Sequence, residues 1–270
     1  MAQVEIHISD VRTFKTCRRK WNWISPLRRN LESIVPYVPF FAGRMAHYAL
    51  EHYYRSGTPF EASVKTFVDE ERALMEQVGR LWDVEESNLA EQVDLITGML
   101  THYRLWIESA AEANFRFRDE NLEFISLERT FSVPLRTPNG RASNKVFLAG
   151  RFDGLVRYKG DGTYWIWETK TTRSIKELTY SLANDEQAGA YIYAAQEIYG
   201  RPISGVLYNI LRKKVPTRPD VLQSGLLSKN AKCEPQLRPI IKRPRKRTPT
   251  GRPSRSSQCE YEEHICRTRL

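Results

Sequence analysis

No run of about 18 apolar residues occurs in this 270-residue sequence, so it offers no membrane-spanning helix. Its opening, MAQVEIHISD, has no basic stretch followed by an apolar one, which points away from a secretory leader and toward a cytoplasmic protein. Cysteine is scarce. The four residues at 17, 233, 259 and 266 are too scattered for a dense secreted-type disulfide framework, which leaves thiols or metal ligands. No G-x-x-x-x-G-K-[ST] occurs, so the chain carries no ATP motor of its own. An internal repeat is also absent, and acids are missing from one region. Between 212 and 258 there are 14 Lys or Arg against Asp220 and Glu234 alone. That leaves 28 of the 42 basic residues against 30 of the 32 acids in the rest of the chain. The net charge of +10 therefore belongs to one Pro-punctuated segment, containing KRPRKRTPTGRPSR, over an almost neutral body. With little to bury, this segment is expected to be a mobile arm, either a solvated tail or a phosphate-binding one.

The full chain is 41% hydrophobic, enough for one substantial core. SDVRTFKTCRRKWNW spaces Val11, Phe14, Cys17 and Trp21 at three and four residues, predicting a short helix with Ser9 or Asp10 as N-cap. Prolines 26, 36 and 39 mark a loop, and FFAGRMAHYALEHYYRS predicts a buried helix. Helices follow over 60–79 and 88–113. From about 121 the pattern becomes that of strands: LEFISLERTFSVPL, KVFLAGRFDGLVRY and TYWIWETKTT. A helix over 184–199 ends at Gly200 and Pro202, and ISGVLYNILRKK is a last strand. Helices, three strands, a helix and a strand amount to an α/β core behind a helical N-terminal region.

Chemistry concentrates on the middle strands. Alternation along TYWIWETKTT puts Tyr164, Ile166, Glu168 and Lys170 on one face and Trp165, Trp167 and Thr169 on the other. If residues 159–162 form the hairpin loop, Asp153 lies across from Glu168; if Asp161 and Gly162 alone are central, it lies across from Lys170. In either register the three share a face, with opposed Cβ atoms about 4.5 to 5.5 Å apart. Two carboxylates that close, among apolar strand residues, would take up protons unless a cation intervened. Hard oxygen ligands suit Mg²⁺ or Mn²⁺.

Gly150-Arg151-Phe152-Asp153-Gly154 followed by Trp167-Glu168-Thr169-Lys170 resembles motifs II and III of the PD-(D/E)XK nuclease superfamily, in its RecB-like exonuclease branch. Gly43 to Glu51 resembles that branch's G-x-x-x-H-x-x-L-E helix, Gln187 to Tyr191 its Q-x-x-x-Y helix, and Ser9 to Trp21 its first helix. The matches span about 9–212. The resemblance implies a restriction-endonuclease-like core, with a three-stranded meander, a helix and a further strand behind the helical N-terminal region. It implies a divalent ion, Mg²⁺ or Mn²⁺, held by His47, Asp153, Glu168 and the Thr169 backbone carbonyl. Asp153, Glu168 and Lys170 would be catalytic, and Gln187, Tyr191 and Arg151 would position DNA.

Some members of the branch hold an iron–sulfur cluster on one early and three late cysteines. Cys17, Cys233, Cys259 and Cys266 match in number, but the late three lack a close C-x-x-C pair. The expected organisation is a nuclease domain over 1–212, the basic arm over 213–258 and a C-terminal segment over 259–270. The expected function is metal-dependent DNA cleavage, exonucleolytic, in recombination, repair or replication. A separate helicase or recombination protein would be its partner and the cytoplasm its location, that of the host if phage-encoded. The alternatives are a catalytically silent DNA-binding subunit of the same fold and a site-specific endonuclease.

Overall fold

The computed structural model describes residues 3–31, 38–77, 86–108, 116–182, 184–215 and 240–242. A short strand, β1 (Val4–His7), precedes two small helices, α1 (Ile8–Thr16) and α2 (Arg18–Ile24). The single helix expected from Ser9 to Trp21 is broken at Cys17, whose φ of −157° and ψ of 103° are those of a strand. Its sulfur caps α2, accepting from the Lys20 amide at 3.4 Å. Helix α1 starts at Ile8, one residue before Ser9, with His7 at its N-cap position and no side-chain cap.

Three longer helices follow: α3 (Val38–Ser56), α4 (Phe60–Gln77) and α5 (Glu86–Glu108). Along α3, Ala42, Met45, Ala46 and Ala49 are fully buried. Three of these four are alanine, so the helix axis can approach its neighbours closely, and a cluster of apolar side chains unites α3, α4 and α5 with Leu211.

After a 3₁₀ turn at Asp119–Asn121 come β2 (Leu122–Arg136), β3 (Ala142–Tyr158) and β4 (Tyr164–Thr172), a three-stranded meander. Then α6 (Ile175–Leu182), which the sequence pattern did not signal, leads into α7 (Glu186–Tyr199). The Asp185 side chain caps α7 by accepting from the Gln187 amide, and Gly200 closes it with φ +62°. Strand β5 (Ile203–Arg212) returns parallel to β4, and β6 (Ile240–Lys242), inside the segment expected to be an arm, pairs antiparallel with β5.

The result is a mixed α/β fold with a restriction-endonuclease-like core and a helical N-terminal region. Six described strands form one sheet, with α7 on one face and α3 and α5 on the other. Alternation along β4 assigns the faces. Tyr164 and Ile166 join the cluster under α7, while Trp165 and Trp167 pack with Phe117, Leu207 and, at its margin, Tyr54 of α3. Each buried Trp contributes about 5 kcal/mol of gross burial energy, so the face of the sheet opposite α7 is anchored beside the Glu168 position.

Strand β3 is longer than any one neighbour on its second edge. β2 runs along its first edge; on the other, β1 pairs with Val146–Ala149 and β4 with Gly154–Arg157. Residues 150–153 lie in the fork between β1 and β4.

Candidate active site

The fork exists because a strand edge can hold only one hydrogen-bonded neighbour at a time, and β1 and β4 divide this one. The β3–β4 ladder runs from Arg157–Tyr164 to Gly154–Trp167, the register of the four-residue turn. Continued by one step it would set Asp153 opposite Glu168, but the ladder ends there. Instead the Asp153 carboxylate spans the gap, its Oδ2 accepting the Thr169 amide at 2.6 Å.

Helix α3 brings His47 to the same carboxylate, Nδ1 to Oδ2 at 3.3 Å. The same Nδ1 is 3.7 Å from Oε1 of Glu128, whose other oxygen accepts from Arg151 Nε at 2.9 Å. Glu128 sits in β2 between the pairs Leu127–Gly154 and Arg129–Phe152, with φ +47°. A left-handed glutamate inside a strand costs about 1 to 3 kcal/mol, and its carboxylate reaches the fork from there. One ligand atom from each of His47, Glu128 and Asp153 lies within 4.8 Å of the others, an arrangement able to hold a cation.

Glu168 is only 3% exposed. Its Oε1 accepts from Lys170 Nζ at 2.5 Å and from Gln187 Nε2 at 3.0 Å. Gln187 also accepts from Lys170 at 3.2 Å and donates to the Tyr191 hydroxyl at 2.8 Å. Gln187 and Tyr191, one turn apart on α7, thus hold the Glu168–Lys170 pair from above. The Glu168 Oε2 atom is buried with no partner. A buried carboxylate oxygen left unpaired is costly unless something positive comes to it, and this one fits a metal ligand.

The electrostatics agree with that fit. Burial, then the neighbouring charge of Asp153, pushes the Glu168 carboxyl up to about 8, against the opposing pull of Lys170 and His47. Burial alone would lower the His47 imidazole, but the carboxylates of Asp153 and Glu128 raise it to about 10. Asp153 is raised by burial yet ends below the ordinary carboxylate range, held there by His47, the Thr169 amide and Lys170. In the metal-free protein, protons on His47 and Glu168 therefore supply the positive charge that three carboxylates require.

A family model described as the PD-(D/E)XK nuclease superfamily matches residues 6–267. The chain belongs to this superfamily. No curated protein shows a significant match to it. In this PD-(D/E)XK protein the sequence-expected residues form two bonded groups, His47 with Asp153 and Glu168 with Lys170, Gln187 and Tyr191, and the charges of Asp153 and His47 act on Glu168. Thr169 enters through its amide and Arg151 through Glu128. Glu51, which shares a helical face with His47, turns instead to Arg55 at 2.7 Å. Cys17 is exposed, and Cys233, Cys259 and Cys266 lie outside the described residues. Glu128 is the residue that sequence reasoning missed: in LERTF it has the look of an ordinary solvent-facing strand position, and its left-handed backbone has no signature in sequence.

Proposed function

We propose that this PD-(D/E)XK protein is a divalent-metal-dependent deoxyribonuclease, using Mg²⁺ or Mn²⁺, that acts on DNA as an exonuclease in recombination, repair or replication. The observation that carries the proposal is the unpartnered, buried Oε2 of Glu168 beside Asp153 and His47, with Lys170 held next to it. His47, Asp153 and Glu168 would hold the ion, with Glu128, whose carboxylate lies within 4.8 Å of the ligand atoms of His47 and Asp153, able to join them and the Thr169 carbonyl as a further donor. When bound, the ion supplies Lewis-acid polarisation of the phosphodiester and acidifies its water. Lys170 Nζ, steadied by Gln187, presents a positive charge to the phosphoryl oxygens and orients the attacking water. Tyr191 fixes the Gln187 amide, and Arg151, exposed, meets the backbone phosphates.

We assign the catalytic part to residues 1–212, with a basic arm over 213–258 and a C-terminal segment over 259–270. The pairing of Ile240–Lys242 with β5 puts part of that arm in the sheet. Among the described residues no helix is long and apolar enough to cross a membrane, in keeping with work in the cytoplasm beside a separate helicase or recombination protein. An iron–sulfur cluster on Cys17 and the three late cysteines remains the family's other cofactor option, and absorption of anaerobically prepared protein tests it.

The decisive experiment incubates end-labelled linear DNA and closed circles with Mg²⁺, Mn²⁺ or EDTA, beside Asp153→Ala and Lys170→Ala. Metal-dependent loss of linear DNA that both substitutions abolish is expected. Cleavage unaffected by either overturns the site, and attack on circles turns the assignment toward an endonuclease.

A further inference from the structure

Helices α1 and α2 contain no buried residue at all. They are fastened to the body by polar contacts, Arg12 to Asp185 and Lys15 to Glu186 of the α7 start, and by β1 on β3. Yet they and the turn that follows carry large apolar side chains that the core does not use. Phe14, Trp23, Ile24, Leu27 and Leu31 are each at least 40% exposed, nearly half of the large exposed apolar residues described.

The charge of this face is mostly positive, with Asp10 of α1 accepting from Trp21 Nε1 at 2.9 Å. From Val11 to Leu31 there are seven Lys or Arg and no acid. Arg12 and Lys15 are answered by α7. Among the described residues, no carboxylate lies within ion-pair distance of Arg18, Arg19, Lys20, Arg28 or Arg29. Two of these lie instead over exposed rings: Arg29 over Trp23 at 4.7 Å and Arg18 over Phe14 at 5.2 Å. In each pair a guanidinium lies against a ring that is itself about two-fifths exposed, Trp23 at 41% and Phe14 at 40%.

We propose that the α1–α2 face is a single-strand-binding platform that holds the nucleic-acid strand next to the active site. Open rings stack on bases only where the bases are themselves unstacked, and the unpaired cations meet the phosphates between them, which selects a single strand over a duplex. The platform is continuous with the site, since Arg12 of α1 donates to Gln187 at 3.4 Å, and Gln187 holds Glu168 and Lys170. The proposal rests on the nuclease assignment only for what happens to the strand.

The test is fluorescence anisotropy of labelled oligothymidylate with the full chain in EDTA, where nothing is cleaved, across a salt series. Metal-dependent hydrolysis of bis(p-nitrophenyl) phosphate, too small to reach the platform, reads the active site separately. Because α1 and α2 bury nothing, Trp23→Ala and the triple variant Arg18→Ala/Arg19→Ala/Lys20→Ala are expected to keep the wild-type thermal midpoint. Trp23→Ala should weaken single-strand binding about tenfold. The triple variant should flatten the salt slope by about 0.7 for each phosphate that it no longer neutralises. Small-ester hydrolysis should be unchanged in both. Unchanged affinity and slope in both variants overturn the platform, as does equal loss of duplex and single-strand binding. Conversion of a dimer to a monomer by Trp23→Ala with intact DNA binding also overturns it, assigning the face to a second copy of the chain. Failure of the wild type to hydrolyse any ester would defeat the nuclease assignment while leaving the binding result readable.

Discussion

Glu128 stands across the β2–β3 ladder from Asp153, in a left-handed backbone conformation, with its carboxylate 3.7 Å from the imidazole that Asp153 also holds. The strain and the function oppose each other at this residue. Glycine adopts that φ freely, so Glu128→Gly should raise the unfolding free energy of the EDTA-treated protein by about 1 kcal/mol. The same change should weaken metal binding and metal-dependent cleavage at least tenfold, with Glu128→Gln matching it in activity but gaining no stability. Thermal unfolding and Mn²⁺ titration check the two halves. A glycine variant that is less stable and fully active would show that Glu128 serves the fold alone.

Metal uptake should release protons. His47, raised to about 10 by Asp153 and Glu128, and Glu168, raised to about 8 by burial and Asp153, are both protonated at pH 7 in the metal-free protein. An ion needs both as free ligands, so binding at pH 7 should expel between one and two protons and tighten as pH rises through 8. Calorimetry in buffers of differing ionisation enthalpy measures the number. The metal-free fold responds in the opposite sense: raised groups contribute stability that is full below their unfolded values, about 6.5 and 4.5 here. That stability is lost as pH rises through about 8 and then 10. EDTA-treated protein should therefore melt earlier in alkali, and His47→Ala should remove the upper part of that loss.

Gln187 is a positioning residue, acting through Lys170 and Glu168. Lys170→Ala should lower kcat by about a hundred- to a thousandfold. Gln187→Ala should lower it by about tenfold with little change in KM, and Gln187→Glu should move the acid limb of the pH–rate profile upward, because a new carboxylate beside Glu168 raises that carboxyl further. An unaltered profile in Gln187→Glu would mean that Gln187 only packs α7 against β4.

Two glycines control how β2, β3 and β4 meet. A Cβ on Gly150 would lie 2.9 Å from the Phe131 ring, and one on Gly154 would lie 3.3 Å from both the Ser126 carbonyl and the Trp167 Cβ. Gly150→Ala must displace an aromatic ring that packs on Phe152 and Tyr191 and should cost about 1 to 3 kcal/mol. Gly154→Ala presses on backbone beside Asp153 and should lower activity more than stability. Chemical denaturation and cleavage assays on both separate these effects.

Much of this site is legible in the sequence because its parts obey local rules. Pleat alternation puts Glu168 and Lys170 on one face, either hairpin turn that the sequence allows keeps Asp153 on that face, and a spacing of four places Gln187 and Tyr191 on one side of α7. Each follows from covalent geometry over a few residues. The sequence also carries the Gly200 stop of α7.

The tertiary structure decided what depends on distant partners. That β1 and β4 divide one edge of β3, opening the fork in which Asp153 reaches the Thr169 amide, is a contest between strands more than a hundred residues apart. Glu128 became part of the site because its register on β3 sets it across from Asp153, in a left-handed conformation that no residue type marks when it is not glycine. Strand edges and bulges are settled by which hydrogen-bond partners are left over once the long-range core has formed, and that information is not held by any short stretch of the chain.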